Sequence, residues 1–141
     1  MNQPRYDCSL RYEDIVPYRT DGLCRCGCGQ LIQSPRRCWA TDACGKRHLR
    51  DFQVKKGYTA AVRGALRERD RGRCARCRLT VVERKQLGRA EEWEGHHVVP
   101  VAEGGGGCGL EGYETLCVDC HRAETQTLAT RLAQKRRDAA G

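Results

Sequence analysis

Two Cys-x2-Cys pairs, Cys74/Cys77 and Cys117/Cys120, stand far apart in a chain of 141 residues, with the segment 78–116 between them. Two such knuckles can close a tetrahedral thiolate cage around zinc, and a full shell of four thiolates leaves no position for water or substrate. The predicted site is therefore a structural staple, and the intervening segment is an insertion carried by it. A chain of this length makes one compact domain or two very small ones. Eight aromatic residues and 39% hydrophobic content offer limited apolar area for a core. Small domains bury a smaller fraction of their surface and often depend on metals or disulfides. Eleven cysteines supply that material, and their odd number leaves at least one without an intramolecular disulfide partner. The N-terminal Met-Asn-Gln-Pro-Arg-Tyr-Asp lacks an apolar signal core, and no stretch is long enough to span a bilayer. The expected setting is thus cytoplasmic (host cytoplasm for a phage-encoded chain), with no membrane partner. There, paired cysteines bind metal more often than they form disulfides.

Upstream lies a second cysteine-rich stretch, Cys24, Cys26, Cys28, Cys38 and Cys44. Gly27 and Gly29 suit a knuckle whose backbone turns tightly around a metal. Five cysteines cannot all serve one tetrahedral zinc. The expected set is Cys24, Cys26, Cys28 and Cys44, with Cys38 as the rival ligand and His48 as an outside candidate. Residues 1–20 show no periodicity and read as an extended arm with Cys8 unassigned; 21–56 read as the N-terminal cysteine-rich knuckle, and 57–141 as the main domain.

Within that main domain, Gly57–Gly72 reads as a helix, with Thr59 at its start, an apolar stripe of Ala61, Val62, Ala65 and Leu66, and Gly72 at its end. Leu79–Glu92 is polar, a helix or loop insertion. Glu94–Val101 has the β-branched character of a short strand stopped by Pro100. Gly104–Gly107 is a loop, Cys108 has no evident partner, and Glu114–Leu116 forms a returning strand. A last helix begins at Val118, with Ala123, Thr127, Leu128 and Leu132 on its expected buried side.

The formal charge is +8, and its distribution says more than its size. Twelve basic residues between Lys46 and Arg78 face only Asp51, Glu68 and Asp70, a local +9. Zinc held by four thiolates carries a net −2, so two such sites would bring the whole chain to about +4. The local excess survives that correction. A concentrated basic segment is the electrostatic footprint of a polyanion, usually nucleic acid. Arg63, Arg67 and Arg71 recur every four residues along the predicted helix, and Arg73 and Arg76 continue into the knuckle R-C-A-R-C-R. These five are the candidate DNA-binding residues.

Three of the four histidines fall inside or beside the insertion: His96 and His97 as a pair, and His121 directly behind Cys120. On a strand, His96 and His97 point to opposite faces, so one can ligate a metal while its neighbour faces substrate. A strand–loop–strand–helix hairpin would bring His121 opposite His96. The competing reading is that His96 or His121 replaces a cysteine in the zinc cage.

At these residues the sequence resembles the HNH endonuclease family. The similarity runs from about Val62 to Thr125 and includes L-R-E-R-D-R-G-R-C-A-R-C, H-H-V-V-P-V-A-E-G-G-G and L-C-V-D-C-H-R-A-E-T. The resemblance implies an α+β fold: a small zinc-stabilised domain with a ββα-metal, treble-clef-like core and an N-terminal zinc knuckle. It implies metal-dependent hydrolysis of DNA phosphodiester bonds, by nicking or double-strand cleavage. His97 becomes the general base, and His96 and His121 the ligands of a catalytic divalent ion. Mg²⁺ or Mn²⁺ would be usual for phosphate, while imidazole also suits Zn²⁺ or Ni²⁺. One position departs from the pattern: Gly112 stands where the family carries an asparagine that braces the hairpin loop, with Glu111 or Glu114 available to compensate. That departure motivates one alternative, a catalytically weakened zinc-dependent DNA-binding protein; a second is a structural zinc scaffold for protein contacts, with the basic charge incidental.

Overall fold

The computed structural model describes residues 11–15 and 18–141. In chain order the elements are α1 (Tyr12–Ile15), α2 (Asp42–Lys55), α3 (Thr59–Asp70), α4 (Val81–Gln86), β1 (Trp93–His97), β2 (Tyr113–Cys117) and α5 (Val118–Ala140). Two single turns of 3₁₀ helix, Val101–Glu103 and Leu110–Gly112, lie between the strands. Most of the expected extended arm, including Cys8, lies outside the described residues; within its described part, Tyr12–Ile15 is one helical turn. The chain divides into two compact units. One runs through Val62 and takes in Val99–Gly112; the other comprises Arg63–Val98 and Tyr113–Gly141. The architecture is the small mixed α+β fold with two four-cysteine groups that the sequence implied.

In the first unit, α2 is a helix that apolar periodicity did not announce. Thr41 caps it: the Cys44 N–H donates to Thr41 Oγ1 at 3.2 Å, and Asp42 follows in the first turn. That placement satisfies one of the orphan donors at the helix start and sets an acid near the positive end of its dipole. Cys44 and Val54 are its buried residues. Tyr12 meets Trp39 and Phe52 edge-on, and Arg25 lies over Tyr18 with 4.1 Å between its guanidinium carbon and the ring centre. The loop Val99–Gly112 turns back at Gly105, whose N–H donates to the Pro100 carbonyl at 3.0 Å. A Cβ on Gly105 would overlap the Val99 carbonyl, so only glycine closes this turn.

In the second unit, one hydrophobic core cluster is built on the cysteine group: Cys74, Leu116 and Cys117 are buried, with Ala75, Cys77 and Cys120 packed around them. β1 and β2 pair antiparallel from Trp93 opposite Cys117 to His97 opposite Tyr113. The knuckle docks on this hairpin through the Ala75 N–H, which donates to the Thr115 carbonyl at 2.8 Å. The C-terminal end of α3 is clamped to the same strand. Thr115 Oγ1 donates to Asp70 Oδ2 at 2.7 Å, and Arg69 donates both to Asp70 and to the Tyr113 carbonyl.

The insertion between the knuckles contains α4, started by a reciprocal capping box between Thr80 and Glu83. From α4, Arg84 points inward and is 0% exposed. Its guanidinium donates to the carbonyls of Gly72, Leu79, Ala90 and Glu91 at 2.8–3.1 Å. A buried cation survives only where its donors are taken up, and here backbone carbonyls take them up.

α5 departs from its expected face. Ala123 and Thr127 are exposed, while Leu128 and Leu132 are only half-buried. The helix packs on β1 and β2 through its N-terminal turns. Its small apolar residues further on follow the polar majority of the helix into solvent.

Candidate active site

Four sulfurs from two distant knuckles converge in the second unit: Cys74, Cys77, Cys117 and Cys120 offer ligand atoms all within 4.8 Å of one another. In the first unit Cys24, Cys26, Cys28 and Cys44 do the same. Cys38 and His48 belong to neither group. Cys38 uses its carbonyl to accept from the Arg25 N–H, and His48 stacks on Trp39 at 5.5 Å with a buried, unpartnered Nδ1.

The donor chemistry fits zinc in both places. Burial would raise the Cys74 thiol, yet hydrogen bonds from the backbone of Cys117, Cys77 and Arg76 outweigh it and hold the group at about 6. Cys120 goes the other way: burial, then the neighbouring Cys117 and Cys74 sulfurs, pushes it up to about 12. Crowded thiols cannot all ionise without a cation among them, and metal binding is what displaces the remaining protons. Each group also receives an arginine. Arg47 Nη2 lies 3.4 Å from Cys26 Sγ, and Arg89 Nη2 lies 3.7 Å from Cys117 Sγ. These cations offset the negative charge that a four-thiolate zinc site carries.

His96, His97 and His121 belong to neither sulfur group. On β1 successive side chains alternate: the His96 ring meets that of His121 edge-on at 5.4 Å, while the His97 ring tilts against Tyr113 at 4.4 Å. His121 enters at the start of α5, directly after Cys120, so the sulfur cluster anchors the turn that presents it. Burial lowers His96 below its ordinary value, with His121 and Arg76 adding to the effect against Glu114 and Glu124. Burial lowers His97 as well, helped by His96. Both rings are therefore held toward the neutral form in which imidazole ligates a metal or accepts a proton.

The five arginines singled out from the sequence divide. Arg67 and Arg71 are exposed. Arg63 donates to the Trp93 carbonyl at 2.8 Å and lies over the Trp93 ring, Arg73 donates to the Arg78 carbonyl, and Arg76 is ion-paired. Tyr113, Glu114 and Glu124, which neighbour the histidines, carried no spacing signal. The hairpin register, with Glu114 opposite His96 and Tyr113 opposite His97, is what brings the first two there.

Gly112 has a local explanation within its own unit. A Cβ built there would come 2.6 Å from the Cβ of Cys108 and would overlap its sulfur. Cys108 thus occupies the space that a side chain at 112 would need. Gly112→Asn alone is expected to destabilise the protein by about 1–3 kcal/mol through overpacking, whereas Gly112→Asn with Cys108→Gly should recover most of that loss. Urea unfolding of the two variants checks this; equal stability of Gly112→Asn and wild type would refute it.

A two-stranded hairpin with histidines on both faces, followed by a helix bearing a third and stapled by four cysteines, is the ββα arrangement of a nuclease-type domain. Residues 74–127 match the family model described as HNH endonuclease, and this segment is an HNH domain. A stretch of 50 residues is 42% identical to the "DNA annealing helicase and endonuclease ZRANB3" of Mus musculus and of Bos taurus, and 40% identical to that of Homo sapiens. The aligned stretch is 36% of this chain and spans only 5% of each of those relatives. No solved structure matches the chain. No helix among the described residues is long and apolar enough to cross a membrane.

Proposed function

We propose that the chain is a metal-dependent endonuclease that hydrolyses phosphodiester bonds of DNA. The observation that carries this reading is the arrangement of three histidines on the hairpin and the helix that follows it, with His96 meeting His121 and His97 held on the opposite face by Tyr113. His97 acts as general base, taking a proton from water as its oxygen bonds to phosphorus and the bond to the 3′ oxygen breaks. His96 and His121 hold a divalent cation, Mg²⁺ or Mn²⁺ or, given imidazole donors, Zn²⁺ or Ni²⁺. When bound, that ion supplies electrostatic stabilisation of the charge gathering on the phosphate and the departing oxygen. Zinc in the two cysteine groups is structural. DNA as the substrate is supported by the family match, by the printed activity of the relatives and by the basic excess between Lys46 and Arg78. Arg67 and Arg71, both exposed, are the phosphate contacts this reading favours. Such contacts position a strand without reading its sequence.

The test is nicking of supercoiled plasmid by the zinc-loaded protein with added Mg²⁺, Mn²⁺ or Ni²⁺, measured against pH. The base works only when neutral, and burial places His96 and His97 below the ordinary 6.5. The rate should therefore rise as pH climbs through a range below 6.5 and then level off near neutrality. A rate indifferent to acidification would exclude histidine base catalysis. The occupied space over Gly112 favours a second reading, a zinc-dependent DNA-binding protein without catalysis. Salt-sensitive duplex binding with no cleavage under any of the three cations would select it.

A further inference from the structure

Arg76 lies inside the knuckle, between Cys74 and Cys77, and its side chain reaches out of it to both histidine-bearing elements. Nε donates to Glu124 Oε1 at 2.8 Å, and Nη1 donates to Glu114 Oε2 at 3.0 Å. Nη2 completes the ion pair 2.8 Å from the buried Glu114 Oε1, out of line for a hydrogen bond. All three guanidinium nitrogens are thus engaged by two carboxylates. Glu114 sits on β2 directly opposite His96, and Glu124 lies on α5 one turn beyond His121. The Glu114 side chain is 14% exposed and that of Glu124 34%, so solvent competes little for the Glu114 side of the fork.

We propose that Arg76 is a positioning residue that couples the Cys74/Cys77/Cys117/Cys120 group to the His96/His121 pair, setting the hairpin and α5 at the spacing the pair needs. The planar guanidinium is suited to this because it fixes two partners in direction as well as distance, which a lysine ammonium does not. A phosphate contact by Arg76 would have to break bonds it already makes. Its one positive charge against two carboxylates also leaves a net −1 beside the His96/His121 pair, a field that favours a cation there and disfavours phosphate at Arg76 itself. The coupling gives a structural metal site leverage over a site in which it takes no chemical part.

The proposal rests on reading His96 and His121 as the cation-holding pair, and the experiment separates the two ideas. Zinc-loaded wild type, Arg76→Ala, Arg76→Lys, Glu124→Gln and His96→Ala are compared by zinc content, histidine ring NMR signals without added cation, Mn²⁺ affinity and the salt dependence of duplex binding. In Arg76→Ala and Arg76→Lys, zinc content and salt slope should match wild type, the His96 and His121 ring signals should move, and Mn²⁺ affinity should fall ten- to a hundredfold, the usual cost of losing an outer-shell partner. Glu124→Gln, which weakens one contact of the three, should move the His121 signal with zinc fully retained; it decides the matter if the Arg76 variants do not fold. Ring signals superimposed on wild type would overturn the proposal, as would a salt slope lowered by about one phosphate contact. Mn²⁺ binding that is unchanged in His96→Ala would refute the cation reading alone, and the ring signals would still decide the role of Arg76.

Discussion

Cys117→Ser is expected to unfold the unit that carries the histidines. Cys117 is 1% exposed and belongs to a core of Cys74, Leu116 and Cys117 with Ala75, Cys77 and Cys120 around it. The other buried apolar residues of the unit are Ala65, Leu66, Trp93 and Tyr113. Structural zinc in small domains is worth about 10–16 kcal/mol at neutral pH, as much as or more than the whole stability of an ordinary domain, about 5–15 kcal/mol. Serine removes one thiolate and leaves three crowded thiols with a weakened claim on the ion. The variant should therefore lose one zinc per chain, lose its cooperative melt in that unit and fail to cleave. Chelation of wild type should do the same. Cys38→Ser is the contrast, because Cys38 stands outside both sulfur groups; it should keep all of its zinc. A Cys117→Ser protein with full zinc content and an unshifted melt would show that the cluster is not what holds this unit together.

His97→Ala should have the opposite profile, an intact fold with lost chemistry. The His97 ring lies against Tyr113, which is 4% exposed and is held independently by its carbonyl bond from Arg69. Removing the imidazole should cost about 1 kcal/mol of stability, in the range of ordinary substitutions. Plasmid cleavage should fall by about 10²–10⁴-fold, the usual contribution of a positioned general base. Zinc content, Mn²⁺ affinity and duplex affinity should remain at wild-type levels. His96→Ala should instead lower Mn²⁺ affinity. Unchanged cleavage by His97→Ala would remove it from the base role.

Much of the second unit was legible in the chain because its information is local. The Cys-x2-Cys spacings name the sulfur cluster, the adjacent histidines name the hairpin, and the run of Ala65 and Leu66 names the buried face of α3. The helix α2 was not legible in the same way. Its large apolar residues, Leu49, Phe52 and Val54, are sparse and confined to its second half, and the cap at Thr41 and Asp42 was masked by the cysteines around it. The expected burial of Ala123 and Thr127 failed because periodicity tells which residues share a face, not where the neighbour covering that face ends. Arg63, Arg73 and Arg76 read as free cations in the sequence; their partners, the Trp93 and Arg78 carbonyls and two glutamates, are mostly supplied by residues distant in the chain. The same limit hid Tyr113 and the placement of Glu114 opposite His96, which arise only through strand register.

Arg84 has a consequence for the entropy of metal capture. The two halves of the second sulfur group are separated by the whole of 78–116, and bringing such ends together in a flexible chain costs about 3–4 kcal/mol. By gathering the carbonyls of Gly72, Leu79, Ala90 and Glu91, Arg84 ties the exit from the first knuckle to the entry of β1. Trp93, two residues further on, pairs with Cys117. The second half of the cage is thereby delivered near the first by protein hydrogen bonds. Zinc would then meet ligands that are already assembled, and part of its affinity would reside in a guanidinium that touches no sulfur.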